Sequence, residues 1–204
     1  MGRVNIASSQ DIEAMRVVGR MAAETLVIVG EQIRAGMSTE DIDRLVVEDT
    51  KRRGAKCAPL NYHGFPKSVC TSINEVVCHG IPTTKHVLRD GDIINVDVTT
   101  IFNGYHGDTS ATFYIGTPTK DATRVTEVSR KSLDLGIAEV REGARLGDIV
   151  GLFMALGGGW KDENLKDLPP EGPQAPTKEE ITKIEGPVNA TLLPTIPKLT
   201  FTPF

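Results

Sequence analysis

The sequence predicts an α+β domain in which two helices lead into an antiparallel sheet and a third helix follows. Three observations predict it. Apolar residues recur every three or four positions before Gly54. Gly, Pro and β-branched residues dominate from Cys57 to Gly116, and an Asn-Gly pair, Asn103-Gly104, interrupts that stretch between two alternating runs.

The first helix opens at Ser8, whose partner Asp11 completes a capping-box pattern. Ile12, Met15, Val18, Ala22, Leu26, Val29 and Ile33 then form one stripe, closed by Gly36. Ser38 with Asp41 opens a second helix whose Ile42, Leu45 and Val46 face inward, and Lys51-Arg52-Arg53-Gly54 ends it. Acid first and base last suits the helix dipole. After the sheet, Gly116-Thr117-Pro118 precedes a third helix over about 120–142, and a fourth starts near Asp148. Beyond Gly157-Gly158-Gly159 the composition shifts. Eight of the twelve prolines lie between Pro169 and Pro203, which reads as a linker or disordered tail. The expected organisation is therefore a domain over 1–156 and a Pro-rich, poorly ordered segment over 157–204.

Composition narrows the function classes. The 204 residues are 39% hydrophobic and 25% charged, enough for one core-bearing domain. A net charge of −4 offers no basic footprint for nucleic acid or an anionic membrane. The N-terminus MGRVNIASSQ has no apolar signal core, and no apolar run is long enough to span a bilayer. Cys57, Cys70 and Cys78 form an odd set without C-x-x-C spacing, which fits reduced thiols. The expectation is a cytoplasmic chain with no membrane or direct nucleic-acid contact.

The stretch NVDVTTIFNGYHGDTSATFYIG, Asn95 to Gly116, places one Asp in each arm of a hairpin, although Asp is depleted in strands. A two-residue type I′ turn at Asn103-Gly104 makes Phe102 oppose Tyr105, Val98 oppose Thr109 and Asp97 oppose Ser110. Alternation then gathers Ile94, Val96, Val98, Phe102, Tyr105, Ala111, Phe113 and Ile115 on a core face. Asn95, Asp97, Thr99, His106, Asp108, Ser110 and Thr112 share the other. Asp97 and Asp108 become diagonal neighbours with Cα atoms roughly 7–8 Å apart. Such a pair suits a two-metal hydrolytic site, whose ions lie about 3.5–4 Å apart. The competing reading is a solvated polar face. Against it stand the mutual repulsion of the two carboxylates and the lack of any Lys or Arg beside them. Asp90 and Asp92 flank Gly91 and read as turn chemistry, and His86 as a loop residue.

Two long motifs, LNYHGFPKSVCTSINEVVCHGIP and LRDGDIINVDVTTIFNGYHGDTSATFYIG, resemble the type I methionine aminopeptidases. The resemblance runs from about residue 5 to Ile149, nearly three quarters of the chain. It implies part of a pita-bread fold, an antiparallel sheet with flanking helices in two pseudosymmetric halves. It also implies removal of the initiator methionine from nascent proteins, by attack of a water activated between two divalent ions such as Co, Mn, Fe, Zn or Ni. Asp97 is then similar to the bidentate ligand of one metal and Asp108 to the bridge between both. His79 is similar to the catalytic, substrate-binding histidine at the scissile amide. Tyr62, Phe65 and Cys70 resemble the pocket that receives the methionine side chain, a thioether suited to an adaptable apolar cavity. The implied partners are methionine-bearing peptide or nascent-protein N-termini, in proximity to the ribosome. A proline dipeptidase on the same fold fits the YHGFP and VVCHGIP context less well.

The same resemblance implies one histidine and two glutamates as metal ligands from the second half, and a second catalytic histidine. All four histidines, His63, His79, His86 and His106, precede residue 107. Glu163, Glu171, Glu179, Glu180 and Glu185 lie in Pro-rich or polar context and match no motif. The expectation is a first half joined to an unrelated tail. Its ligand set is incomplete, and its alternative role is an inactive binding or regulatory module or a truncated gene product.

Overall fold

The computed structural model describes residues 6–145. The chain divides into two compact units, Met1–Val128 and Ser129–Phe204. The expected fourth helix near Asp148, the 156/157 boundary and the tail lie outside the described residues.

Helix α1 spans Ser9–Gln32 and α2 spans Thr39–Arg52, and each starts at a complete capping box. Ser8 and Ser38 cap the amides of Asp11 and Asp41, whose carboxylates accept the Ser backbone N–H in return, both at 2.8 Å. The α1 stripe buries only from Val18 onward; Val18, Ala22 and Val29 are fully covered while Ile12 and Met15 are about half exposed. Periodicity names a face but not how far the opposing surface reaches along it. Helix α1 also stops short of Gly36. Ile33 turns extended at Gln32's end, and Gly36, at φ +87°, makes the reversal that leads into α2. Within α2, Ile42 and Val46 are buried and Leu45 only half-buried.

Four strands follow: β1 (Lys56–Cys57), β2 (Cys70–Ile73), β3 (Ile93–Phe102) and β4 (Tyr105–Tyr114). Strand β3 is central. It takes β1 and β2 end to end along one edge and β4 along the other, all antiparallel. The β3–β4 register runs unbroken from Phe102↔Tyr105 to Ile93↔Tyr114 around the two-residue turn, with Asn103 at φ +50° and Gly104 at φ +85°. The predicted pairs are all present.

One face of this sheet joins the helices in a core of Ala22, Leu26, Val29, Ile42, Val46, Val69, Leu88, Ile94, Val96, Val98 and Ile115. Phe102 and Tyr105, placed on that face by alternation, are half-buried because they sit beside the turn. Helix α1 lies directly on β4. A Cβ on Gly107 would stand 2.3 Å from the Val18 carbonyl oxygen, so only glycine permits this approach.

Helix α3 is Lys120–Ala138, four residues shorter than the periodicity predicts. Its last amides tighten: Glu139 N–H is shared between Leu135 and Gly136 carbonyls, and Val140 bonds Ile137 three residues back. No helix among the described residues is long and apolar enough to cross a membrane.

Helices α1 and α2 are clamped by a buried carboxylate. Asp49 accepts Thr25 Oγ1 at 2.6 Å and Arg53 Nε at 2.7 Å, and Arg52 and Glu24 extend the cluster. Burial pushes the Asp49 carboxyl up, but the Arg53, Thr25 and Arg52 bonds outweigh it and hold the group below its ordinary range. A depressed folded-state pKa adds stability above the unfolded value, about 3.9, and that stability disappears as pH falls through the folded one. Asp49→Asn should therefore cost about 2–4 kcal/mol at neutral pH by urea denaturation. The same variant should show a shallower loss of stability below about pH 4.

Candidate metal and substrate site

The polar face of the hairpin carries the candidate site. Asp97 pairs with Ser110 and Asp108 with Thr99, so the two carboxylates are diagonal neighbours on one face. Asp97 is half-buried and Asp108 exposed. Burial raises the Asp97 carboxyl above its ordinary value, and the Asp108 charge and hydrogen bond raise it further, with His79 acting the other way. Thr99 Oγ1 donates to Asp108 Oδ1 at 2.8 Å and fixes that carboxylate's orientation. Sequence reasoning placed Thr99 on this face without giving it a role; its position opposite Asp108 was the available signal.

Two loops leave and rejoin the sheet beside this pair. Strand β1 pairs with Thr100 and Ile101, and β2 pairs from Asp97 onward, so the segment between them bulges out at the level of Val98 and Thr99. Ala58 N–H donates to Thr99 O at 2.9 Å where this loop departs, and Ser68 N–H donates to Asp43 Oδ1 at 2.7 Å where it returns. The loop carries Tyr62, His63 and Phe65. Tyr62 is 68% exposed and stacks edge-on against His63, with centroids 4.3 Å apart; Phe65 is half-buried. Asn61 and His63 take positive φ, +66° and +46°, a conformation costly for His.

The second loop follows β2 and brings His79 back towards Asp97. Thr71 N–H donates to Gly80 O at 2.8 Å, and a Cβ on Gly80 would lie 2.0 Å from the Thr71 carbonyl oxygen. His79 itself sits at φ +55°. It borders a surface depression of about 560 Å³ with Ile73, Val76, Ile81 and Val87. Cys70 lies directly opposite Asp97 in the β2–β3 register. Burial, Asp97, Cys78 and Asp108 together push its thiol up to about 11, so it stays a neutral, apolar lining group. Cys78, a free thiol next to His79, is exposed. His106 is exposed on the hairpin's polar face and His86 in the loop before β3. Asp92 accepts Arg89 N–H at 2.8 Å, the expected turn chemistry, whereas Asp90 accepts Thr117 N–H at 3.0 Å and so ties this turn to the segment after β4.

The structure thus brings Asp97, Asp108, His79 and Cys70 together and leaves Tyr62 at the surface. Converging carboxylates, one already disfavoured as an anion by the other, are a donor set that fits a divalent cation of oxygen-binding type. Among the described residues, no group of three or more His, Cys, Asp or Glu side chains forms a complete metal-binding cluster.

The pattern of metallopeptidase family M24 matches residues 13–156, well over half the sequence. The chain belongs to this family. It is 49% identical over 146 residues to methionine aminopeptidase A of Synechocystis, covering 72% of the chain and 58% of that protein. It is 46% identical over 147 residues to methionine aminopeptidase of Escherichia coli K12, covering 72% and 56%. The crystal structure of methionine aminopeptidase from Rickettsia prowazekii superposes with a TM-score of 0.73 at 41% identity, covering 76% of the chain and 62% of that structure. This M24 chain therefore has part of the pita-bread fold and spans somewhat over half the length of the relatives it matches. Family membership carries with it a requirement for divalent metal ions.

In this M24 hairpin the two acids repel. Asp108→Asn should raise metal-free stability by about 0.5–1 kcal/mol, read as a higher urea midpoint with unchanged slope. It should simultaneously weaken manganese binding measured by titration calorimetry.

Proposed function

We propose that the chain carries the aspartate half of a metal-dependent aminopeptidase site that removes N-terminal methionine. The diagonal Asp97–Asp108 pair on one face of the hairpin, beside His79, carries this reading. The relatives from Synechocystis, Escherichia coli and Rickettsia prowazekii are methionine aminopeptidases, which supports the substrate class. In this reading Asp97 and Asp108 would be the side chains that hold the metal, with Thr99 Oγ1 orienting the Asp108 carboxylate. Divalent ions of the Co, Mn, Fe, Zn or Ni type would supply Lewis-acid activation of water and of the scissile carbonyl. His79 hydrogen-bonds the amide that is cut, and its left-handed backbone aims the ring from the Gly80 anchor. Phe65, Tyr62 and the uncharged Cys70 receive the methionine thioether, Tyr62 closing over it from the surface. The substrates are free N-termini of peptides and nascent chains, which places the work in the cytoplasm near the ribosome.

One observation favours a second reading, a binding module without turnover. No third ligand joins the two aspartates among the described residues, and affinity falls with ligand number. Purified residues 1–204, supplied with Co(II) or Mn(II) and a Met-Ala peptide, distinguish the two. The enzyme reading expects metal-dependent methionine release that Asp108→Ala lowers by at least about 100-fold, beyond the loss from an outer-shell partner. No release, together with metal binding weaker than millimolar, leaves the module.

A further inference from the structure

The two loops beside the aspartate pair hold unusual backbone. Among the described residues, five besides glycine have positive φ, and four of them, Asn61, His63, Asn74 and His79, lie in these loops. Such conformations persist only where surrounding contacts hold them. Most side chains of both loops are exposed and supply little packing of their own.

Both loops run to α2. Thr39, fully buried, accepts Thr83 N–H with Oγ1 at 2.9 Å and donates the same hydroxyl to Thr83 O at 3.0 Å, four residues beyond His79. Its backbone N–H donates to His86 O at 2.9 Å. One turn later, Asp43 is 8% exposed and accepts Ser68 N–H where the aromatic loop returns. Glu40 meets Lys67 Nζ of the same loop. Residues four apart share one face of a helix, and α2 gives Ile42 and Val46 to the core from beside them. Polar side chains in such a row are costly to bury unless bonded. Burial raises the Asp43 carboxyl above its ordinary value, and the Ser68 N–H and Lys67, both from the aromatic loop, pull it back. Packing of α2 needs no hydroxyl or carboxylate at these positions; the loops do.

Helix α2 is itself fixed relative to the two aspartates. Asp49 ties it to Thr25 of α1, and α1 lies against β4 at Gly107, next to Asp108. A loop tied to α2 is therefore placed with respect to the carboxylates. We propose that one face of α2 positions both loops of the site, Thr39 holding the loop of His79 and Asp43 the loop of Tyr62 and Phe65. What the loops do once positioned rests on the aminopeptidase reading. Each residue acts through the loop it holds, so Thr39 governs orientation at the scissile amide and Asp43 the shape of the methionine pocket.

Amide hydrogen exchange and steady-state kinetics of residues 1–204 test this together. Thr39→Val keeps the shape and removes the hydroxyl. It should speed exchange about tenfold in 74–86 and leave 58–68 unchanged. Asp43→Leu should do the reverse. With Mn(II) and a Met-Ala peptide, Thr39→Val should lower kcat about 10- to 100-fold at unchanged KM, whereas Asp43→Leu should chiefly raise KM. Thr39→Ser and Asp43→Asn, which keep an acceptor, should restore most of each loss. Exchange that is unchanged, or that rises alike in both loops, overturns the proposal. So do loosened loops with kcat and KM untouched. A wild-type chain that releases no methionine sinks the aminopeptidase reading instead, and the exchange pattern alone then decides whether α2 holds the loops.

Discussion

The arrangement depends on one constraint, the unslipped register of β3 against β4. Side chains alternate with a period of two, so a slip of one residue would send Ile94, Val96 and Val98 to water and turn Asp97 into the core. The Asn103-Gly104 turn, with both residues at positive φ, sets that register from one end. Helix α1 seals it from above at Gly107. The same alternation that builds the core therefore brings the two carboxylates together, and their repulsion is a cost the core supports.

The hairpin was legible because its turn chemistry and alternation agree, and each independently specifies the same faces. The capping boxes at Ser8 and Ser38 were legible for a similar reason: local hydrogen bonds determine them. The exposure of Ile12 and Met15 was not, because a helical stripe records amphipathicity without recording where the opposing sheet ends. The end of α3 four residues early was likewise hidden, since its tightened final turn depends on geometry that residue identities state weakly.

Within the candidate site, the two aspartates could be placed by spacing, whereas His79, Tyr62, Phe65 and Cys70 entered through motif resemblance. The loops that carry them hold unusual backbone conformations, and positive φ at His63 and His79 is not written in the letters. The following glycines, Gly64 and Gly80, hinted at turns without revealing their anchors. Thr99, by contrast, was one register step from discovery.

Gly107 places helix backbone against strand backbone with no side chain between them. Contacts of this sort leave no soft layer to shear, so α1 and the hairpin travel as a single rigid plate. Whatever adjusts when a guest molecule arrives must then be the two flanking loops, and the geometry of the carboxylate pair is set before anything approaches it.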